Sequence, residues 1–471
     1  MNTVQNDQEP DDSFRDSIGT IKEGKRNWIY ANKPSGWYYN LRKKLSYVYL
    51  IVFFTLPFLK LNGNPLLMLN ILERKFIIFG FVFWPHDFFI FGIATLTMIV
   101  FVVLFTVVFG RLFCGWACPQ TIFLELVFRR IEYWIEGDAP HQRALNKMPW
   151  NGEKIRKKSL KYSIFFLISF IISNTFLAYI ISADKLFQII SEPVGQHLGG
   201  FIALLLFTLV FFFVFAWFRE QACLIVCPYG RLQGVLLDKN SIVVAYDYVR
   251  GEPRHKFKKN EERDKGDCID CGLCVKVCPT GIDIRNGTQL ECTNCTACID
   301  ACDHMMESVG LEKGLIRYDS ESGIKNKVKL TFTRRILAYS IVLTLLLGFL
   351  TFLLVSRSDV EATIVRAQGS LFQEQGPDKI SNLYNVKVIN KSHKDIPIQL
   401  KLEDRTGEIQ MVGDALVCKK ESNAVGTFFL ILPKEQITER KTTVKIGIYT
   451  GDKKLQTVKT SFLGPIKKKK P

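Results

Sequence analysis

Long uncharged apolar runs alternate with strongly basic connections along most of this chain. Phe88–Phe109 carries no charge, and Tyr162–Ser182, Leu198–Phe218 and Ile336–Val355 are similar. About 20 apolar residues suffice for a helix to cross the hydrocarbon core, so each run predicts a membrane span. Leu45–Leu59 is shorter and contains Pro57, but it is apolar and follows a basic stretch, and it reads as a further span, making about five. Phe76–Trp84 is too short to cross and reads as an interfacial or re-entrant segment. Thr121–Glu136 has a helical period instead. Its Ile122, Phe123, Leu126, Val127, Ile131, Trp134 and Ile135 form a stripe opposite Glu125, Arg129, Glu132 and Glu136. That pattern predicts an amphipathic helix lying along the membrane surface with its charged face solvated.

The C-terminal part changes period. Val386–Ile389, Ile398–Leu402, Phe428–Leu432 and Val444–Tyr449 alternate or run apolar between Gly, Pro, Asn and Asp, as short antiparallel strands do. This predicts an immunoglobulin-like β-sandwich over 356–471. The predicted organisation is an N-terminal segment 1–44, a four-span membrane domain 45–240, a cysteine-rich domain 241–330, a fifth span 336–355 and the sandwich.

Charge orients the spans. Lys22, Lys25, Arg26, Lys33, Arg42, Lys43 and Lys44 precede the first, and Arg111, Arg129, Arg130, Arg143, Lys147, Lys154, Arg156, Lys157 and Lys158 lie between the second and third. The connection between spans three and four holds only Lys185, whereas Lys325, Lys327, Lys329, Arg334 and Arg335 precede the fifth. The positive-inside rule places the N-terminus, the 110–158 loop and 219–335 in the cytoplasm, and 356–471 on the far side, as in a multi-pass protein of a bacterial inner membrane. The first 40 residues hold no early apolar core, so no cleavable signal peptide is expected. The net charge of +17 is absorbed by this topology and by anionic lipid; no nucleic-acid motif accompanies it, and the Lys467–Lys470 run reads as a solvated tail.

Cysteine spacing supplies the chemistry. Cys268, Cys271, Cys274 and Cys278 form one C-x2-C-x2-C-x3-C run, and Cys292, Cys295, Cys298 and Cys302 form a second. This is the spacing of bacterial two-cluster ferredoxins, in which the fourth cysteine of each run crosses to the other cluster. Two [4Fe–4S] clusters are therefore expected, one on Cys268, Cys271, Cys274 and Cys302, the other on Cys292, Cys295, Cys298 and Cys278. Zinc ribbons use paired CxxC units, and disulfides need an oxidising compartment. Pro279 follows the first run, whereas Asp303 occupies the matching place after the second.

Four more cysteines form two CxxxCP motifs, Cys114–Cys118 before Pro119 and Cys223–Cys227 before Pro228, each at the cytoplasmic end of a span. Residues four apart share a helix face, and each proline marks a kink or a new helix start. Soft thiolate pairs suit Cu(I), zinc or iron–sulfur; because thiolates favour Cu(I) over Cu(II), a low-potential cluster would pass electrons to bound copper downhill. Inert small residues at helix ends are the plainer reading of one such motif, and two copies weigh against it. The remaining candidates have structural explanations. His304, Met305 and Met306 are expected to pack on a cluster, His86 and Asp87 to cap a helix, and Cys418 to be buried in the sandwich. Glu125 and Glu132 are either proton carriers or solvated-face residues.

The combination resembles the CcoG/FixG/RdxA family of cytochrome c oxidase accessory proteins. Asp267–Asp303 is similar to that family's ferredoxin segment, as are Arg26-Asn-Trp-Ile-Tyr30 and Gly110-Arg-Leu-Phe-Cys-Gly-Trp-Ala-Cys-Pro-Gln120 to its other signatures. The resemblance implies a cupric reductase that delivers Cu(I) and supports assembly of cbb-type oxidase, with Cys114, Cys118, Cys223 and Cys227 as copper or redox cysteines. Implied partners are copper ions, an electron donor that is a cytoplasmic reductant or quinol, oxidase subunits or assembly factors at the sandwich, and a further copy of the chain. Two other readings share these motifs. One is a quinol dehydrogenase module of the NapH and NosR type; the other is a non-enzymatic oxidase-assembly platform.

Overall fold

A computed structural model of the chain describes residues 21–22, 25–26, 28–61, 63–71, 75–79, 81–83, 88–257, 265–327, 333–358, 360–367, 369, 371–392, 394–413, 415–420, 422–437 and 439–465. His86, Asp87, Lys329 and the Lys467–Lys470 run lie outside the described residues. The chain divides into two compact units, one of residues 1–60, 65–73 and 89–350, the other of 61–64, 74–88 and 351–471.

Four helices among the described residues are long and apolar enough to cross a membrane: Phe89–Phe109, Gly152–Ile181 and Leu198–Phe218 in the first unit, and Arg334–Val355, which begins in the first unit and has its last residues assigned to the second. The second of these begins ten residues ahead of its apolar run because Asn151 caps it, its side chain accepting from the Lys154 amide at 2.9 Å. The Leu45–Leu59 run falls in helix Trp37–Thr55, whose first turns carry Arg42, Lys43 and Lys44, and Pro57 converts its end to a 3-10 turn. The cysteine-rich segment packs in this same unit. It is braced by a two-stranded sheet of Val243–Tyr246 and Ile316–Asp319 and by helix Ala297–Ser308. The Asp300 carboxylate accepts the amides of Tyr38 at 3.0 Å and Tyr39 at 2.7 Å, fixing the N-terminus of helix Trp37–Thr55 to the iron–sulfur segment.

The described part of the Phe76–Trp84 run, expected to be interfacial or re-entrant, is a β-hairpin; Trp84 lies outside the described residues. Lys75–Ile78 pairs with Phe81–Phe83, opposing Ile77 to Val82, both buried. Aromatic and β-branched residues on either side of a short turn favour pleated strands.

The second unit's C-terminal part is a two-sheet fold. Strands Val360–Arg366, Lys379–Asn390, Asn423–Pro433 and Glu408–Val412 form one sheet in that order, and Gln399–Leu402, Lys441–Thr450 and Lys453–Leu463 the other. Period-two alternation drives it. Val444, Ile446 and Ile448 face the core with Tyr384, Val386, Val388, Phe428 and Leu430. Cys418 is fully buried there, in line with its reading as a small apolar residue.

Candidate iron–sulfur and thiol sites

The two ferredoxin-type runs fold alike because their loops share one backbone pattern. Asp270 and Gly272 in the first, and Asn294 and Thr296 in the second, take positive φ angles of 50°, 66°, 53° and 64°. These left-handed turns swing the intervening cysteines toward a common interior, and Gly272 and Thr296 each open a helix. Two cavities result. One is lined by Cys268, Cys271, Cys274 and Cys302 with Tyr246, Met306, Leu315 and Ile316. The other is lined by Cys278, Cys292, Cys295 and Cys298, with Cys274 on the wall between them. Each cavity thus draws three cysteines from one run and the fourth from the other.

The donor set fits an iron–sulfur cube. Each iron of a cube takes its own cysteine, so the thiols must stand around a cavity rather than crowd on one point. Among the described residues no three His, Cys, Asp or Glu groups converge on a single-ion site. Burial pushes the thiols of Cys274, Cys292 and Cys302 up to about 12. These cysteines shed protons when iron takes their place. The loops are fastened by polar contacts. Thr280 Oγ1 lies 3.3 Å from Cys278 Sγ, and Arg285 bridges Asp283 at 2.6 Å and Asp270 at 2.5 Å. Asp303, in the proline-like place, accepts the Gly314 amide at 2.9 Å. Met306 lines a cavity while His304 is exposed.

The two CxxxCP motifs are near copies of one another. In each, the second cysteine donates its amide to the carbonyl five residues back, Cys118 to Phe113 and Cys227 to Ala222, both at 2.9 Å. Both cysteines then leave the helix, with φ of −65° and extended ψ, and Pro119 and Pro228 start new helices. The prolines mark new helix starts as expected. The four thiols lie near enough to act on one another's charge, and Cys114 among them meets Arg111 and Gln233. Cys114 Sγ donates to Gln233 Oε1 at 3.1 Å, and Arg111 Nε donates to the same oxygen at 3.0 Å. Burial, reinforced by Cys118, Cys114 and Cys227 nearby, pushes Cys223 up to about 12; burial also raises Cys114 against the pull of Arg111. Gly230 is required here. A Cβ would meet the Cys223 carbonyl at 2.8 Å and Arg111 at 3.0 Å. Arg111 Nη1 and Gln233 Nε2 are buried without hydrogen-bond partners among the described residues, so the pocket holds spare donors for anionic sulfur.

Arg42 and Arg111 count in the sequence only as topology charges. Both are buried, about 4% and 3% exposed, and both face cysteine sites. In the sequence Arg111 stands just before Cys114, whereas nothing near Arg42 marks it out from other topology charges.

The segment 119–136 buries its charged face as well as its apolar one. Ile122, Phe123 and Leu126 of the stripe are buried, but so are Arg129, Glu132 and Glu136, while Trp134 is 77% exposed. The charges are not solvated because partners from other elements meet them. Arg219 grips Glu132 with two bonds of 2.8 Å, Lys161 reaches Glu136 at 2.9 Å, and Lys158 reaches it at 2.8 Å. Burial would raise the Glu132 carboxyl, but Arg219 and Lys161 outweigh it and hold it below the usual range. Arg129 pairs with Glu125 at 3.4 Å and donates to the Pro279 carbonyl at 2.9 Å, tying the helix to the first cysteine run. Arg219 itself sits at a φ of 53°, a conformation that its ion pair over-determines.

Three family comparisons map onto these regions. A 4Fe-4S dicluster domain matches residues 218–321, a 4Fe-4S binding domain matches 91–138, and the IG-like fold at the C-terminus of FixG matches 350–465. The chain is 32% identical to Protein RdxA of Cereibacter sphaeroides over 81% of its own length and 83% of the relative's. It is 31% identical to Protein RdxB of the same organism, over 88% of each chain. The nitrogen fixation protein FixG of Rhizobium meliloti is 30% identical over 80% of each. With cysteine cavities, membrane-length helices and an IG-like end all matched in one chain, this protein belongs to the FixG/RdxA family of membrane iron–sulfur electron-transfer proteins.

Proposed function

We propose that the chain is a cupric reductase that turns Cu(II) into Cu(I) for copper delivery and assembly of cbb-type cytochrome c oxidase. The observation that carries this reading is that the thiols of Cys114, Cys118, Cys223 and Cys227 lie near enough to act on one another, in the same compact unit as the two cysteine cavities. The cavity cysteines are assigned as ligands of two [4Fe–4S] clusters, with Cys302 and Cys278 crossing over; when bound, such clusters take up and release single electrons. Cys114, Cys118, Cys223 and Cys227 bind the copper substrate. The raised thiols of Cys114 and Cys223 give up protons as the metal enters, Gln233 held by Arg111 orients the Cys114 sulfur, and the soft thiolates favour the reduced ion. In this reading helix Trp37–Thr55 is the first of five spans, the cysteine-rich segment faces the cytoplasm of a bacterial inner-membrane protein, and the sandwich on the far side meets oxidase subunits or assembly factors.

Dithionite-reduced, anaerobically prepared protein, freed of reductant, should reoxidise when mixed with Cu(II), and a Cu(I)-specific chelator should report one Cu(I) per electron lost. Clusters that stay reduced would refute the activity. Cys114→Ser and Cys223→Ser should abolish the transfer while leaving cluster content unchanged.

Quinol is the donor favoured by a second feature. An open groove at the start of helix Gly152–Ile181 is lined by Trp150, Lys158, Tyr162 and Phe166, apolar walls with a cation at one side. In a quinol dehydrogenase module the electrons would leave to a protein partner, and a quinol analogue would reduce the clusters without any dependence on copper.

A further inference from the structure

We propose that electrons enter the thiol site across a single backbone seam from the cavity of Cys278, Cys292, Cys295 and Cys298, and that Gly115 and Arg42 hold this seam closed. The inference deepens the cupric reductase reading and rests on it.

Gly115 follows Cys114 directly. A Cβ at Gly115 would stand 2.5 Å from the Asn294 carbonyl oxygen and 2.6 Å from that of Thr293. The chain between the first CxxxCP thiols therefore lies against the chain between Cys292 and Cys295, closer than any side chain allows. Arg42 clamps the two. Its Nε donates to the Gly115 carbonyl at 2.9 Å and its Nη1 to the Cys295 carbonyl at 2.8 Å, both buried. A parallel bridge runs beside it. Trp116 Nε1 donates to the Tyr318 hydroxyl at 2.8 Å, and that hydroxyl donates to the Asn294 carbonyl at 3.2 Å. Arg111 stands between the sites as well, since its charge acts on Cys114 and Cys223 on one side and on Cys292 on the other.

The order of centres follows. Cys274 borders both cavities, so the Cys268, Cys271 and Cys302 cavity stands behind the first, and the seam leads on to the thiols. Electron transfer between fixed sites weakens steeply with the gap, and bonded or hydrogen-bonded contacts carry it better than open space. The balance is simple: one electron leaves the reduced cluster, Cu(II) gains it to become Cu(I), and no bond or proton crosses the seam. The chemical reductant in the assay, dithionite, refills the clusters.

The test uses the full-length protein with clusters loaded anaerobically. Pre-reduced protein is mixed with Cu(II), and cluster reoxidation is followed by stopped-flow absorbance. Gly115→Ala must part the seam by an ångström or so, and should slow reoxidation about tenfold or more. Cluster content, the EPR signals of the reduced clusters and copper bound per chain should not change. Arg42→Gln, which adds no bulk, should slow it in the same direction, and Arg42→Lys should recover part of the rate. Wild-type rates in both Gly115→Ala and Arg42→Gln overturn the seam.

A wild type whose clusters ignore Cu(II) would refute the reductase reading instead. The seam is then tested without turnover, with Co(II) placed on the four thiols and EPR relaxation measured on each reduced cluster. Cys271→Ser identifies the signal of the nearer cluster by removing the other. Faster relaxation of the nearer cluster, diminished in Arg42→Gln, is expected; equal relaxation of both clusters, or of neither, overturns it.

Discussion

The cysteine-rich segment and the C-terminal sandwich solve the same folding problem from opposite materials. The sandwich closes on aliphatic and aromatic side chains of two sheets, with Tyr384 and Phe428 fully buried and stacked at 5.4 Å. It needs nothing from outside. The cysteine-rich segment has little sheet, and the centres of its two cavities are rimmed by thiols that burial keeps protonated. Hydrophobic area stabilises the first without a specific partner. The second must be completed by metal, so its fold and its electron chemistry are one property.

Removing iron is the largest perturbation of this contrast. Chelation with mild oxidation of the full chain should expose residues 265–327 to protease, while 360–465 stays protected; peptides identified by mass spectrometry would show it. Equal protection of both regions after iron loss would erase the distinction. The reverse experiment is Phe428→Ala. Deleting a buried aromatic side chain should cost the sandwich about 4 kcal/mol in denaturant unfolding. Because the cluster loops share none of that core, the EPR signals should stay as in the wild type, and a change in them would show that the two cores are energetically coupled.

A third core, the buried charges around helix residues 119–135, lies between these extremes. Glu132→Gln keeps the shape but leaves Arg219 and Lys161 facing a neutral group. That should cost about 3 kcal/mol, read as a lower unfolding midpoint in detergent. Glu125→Gln, at the edge of the network and 15% exposed, should cost less. An equal loss in both would mean that burial does not set the strength of these pairs.

These cores were unequally legible in the sequence. Ligand spacing is local, so Cys268–Cys302 announced their crossed pairing in the order of letters. Span hydropathy and strand alternation are local too, and Phe88–Phe109 and Val444–Tyr449 were found where they stand. Helix residues 119–135 showed the right period and the right apolar face, but not that the charged face is buried too. Periodicity finds two faces and is silent on whether the polar one meets Arg219 and Lys161, which lie 87 and 29 positions from Glu132 and reach it only after folding. The Arg42–Gly115–Cys295 clamp was illegible for the same reason. It joins segments separated by 73 and 253 residues, and a buried arginine near a span looks in sequence like any topology charge.

The smallest effect sharpens the comparison at the surface of the cysteine-rich segment. Burial pushes the Asp283 carboxyl up, but bonds from the Arg285 side chain and amide outweigh it and hold the group below its ordinary value of 3.8. The unfolded chain therefore binds the proton more readily than the folded one. Stability from this pair is complete above the unfolded value and is lost as pH falls through it toward the folded value. Such a half-exposed pair is worth at most about 1 kcal/mol. Acid also attacks iron–sulfur clusters, so the informative quantity is a difference. Unfolding of wild type and Asp283→Asn should be compared at pH 6 and again near pH 3, in the same buffer and with iron content measured at each point. The gap between the two proteins should narrow on acidification, since protonation brings the wild type to the state the variant already mimics. A gap that does not change would mean that Arg285 draws its stabilising contact from Asp270 instead, whose oxygen lies 2.5 Å from Nη1.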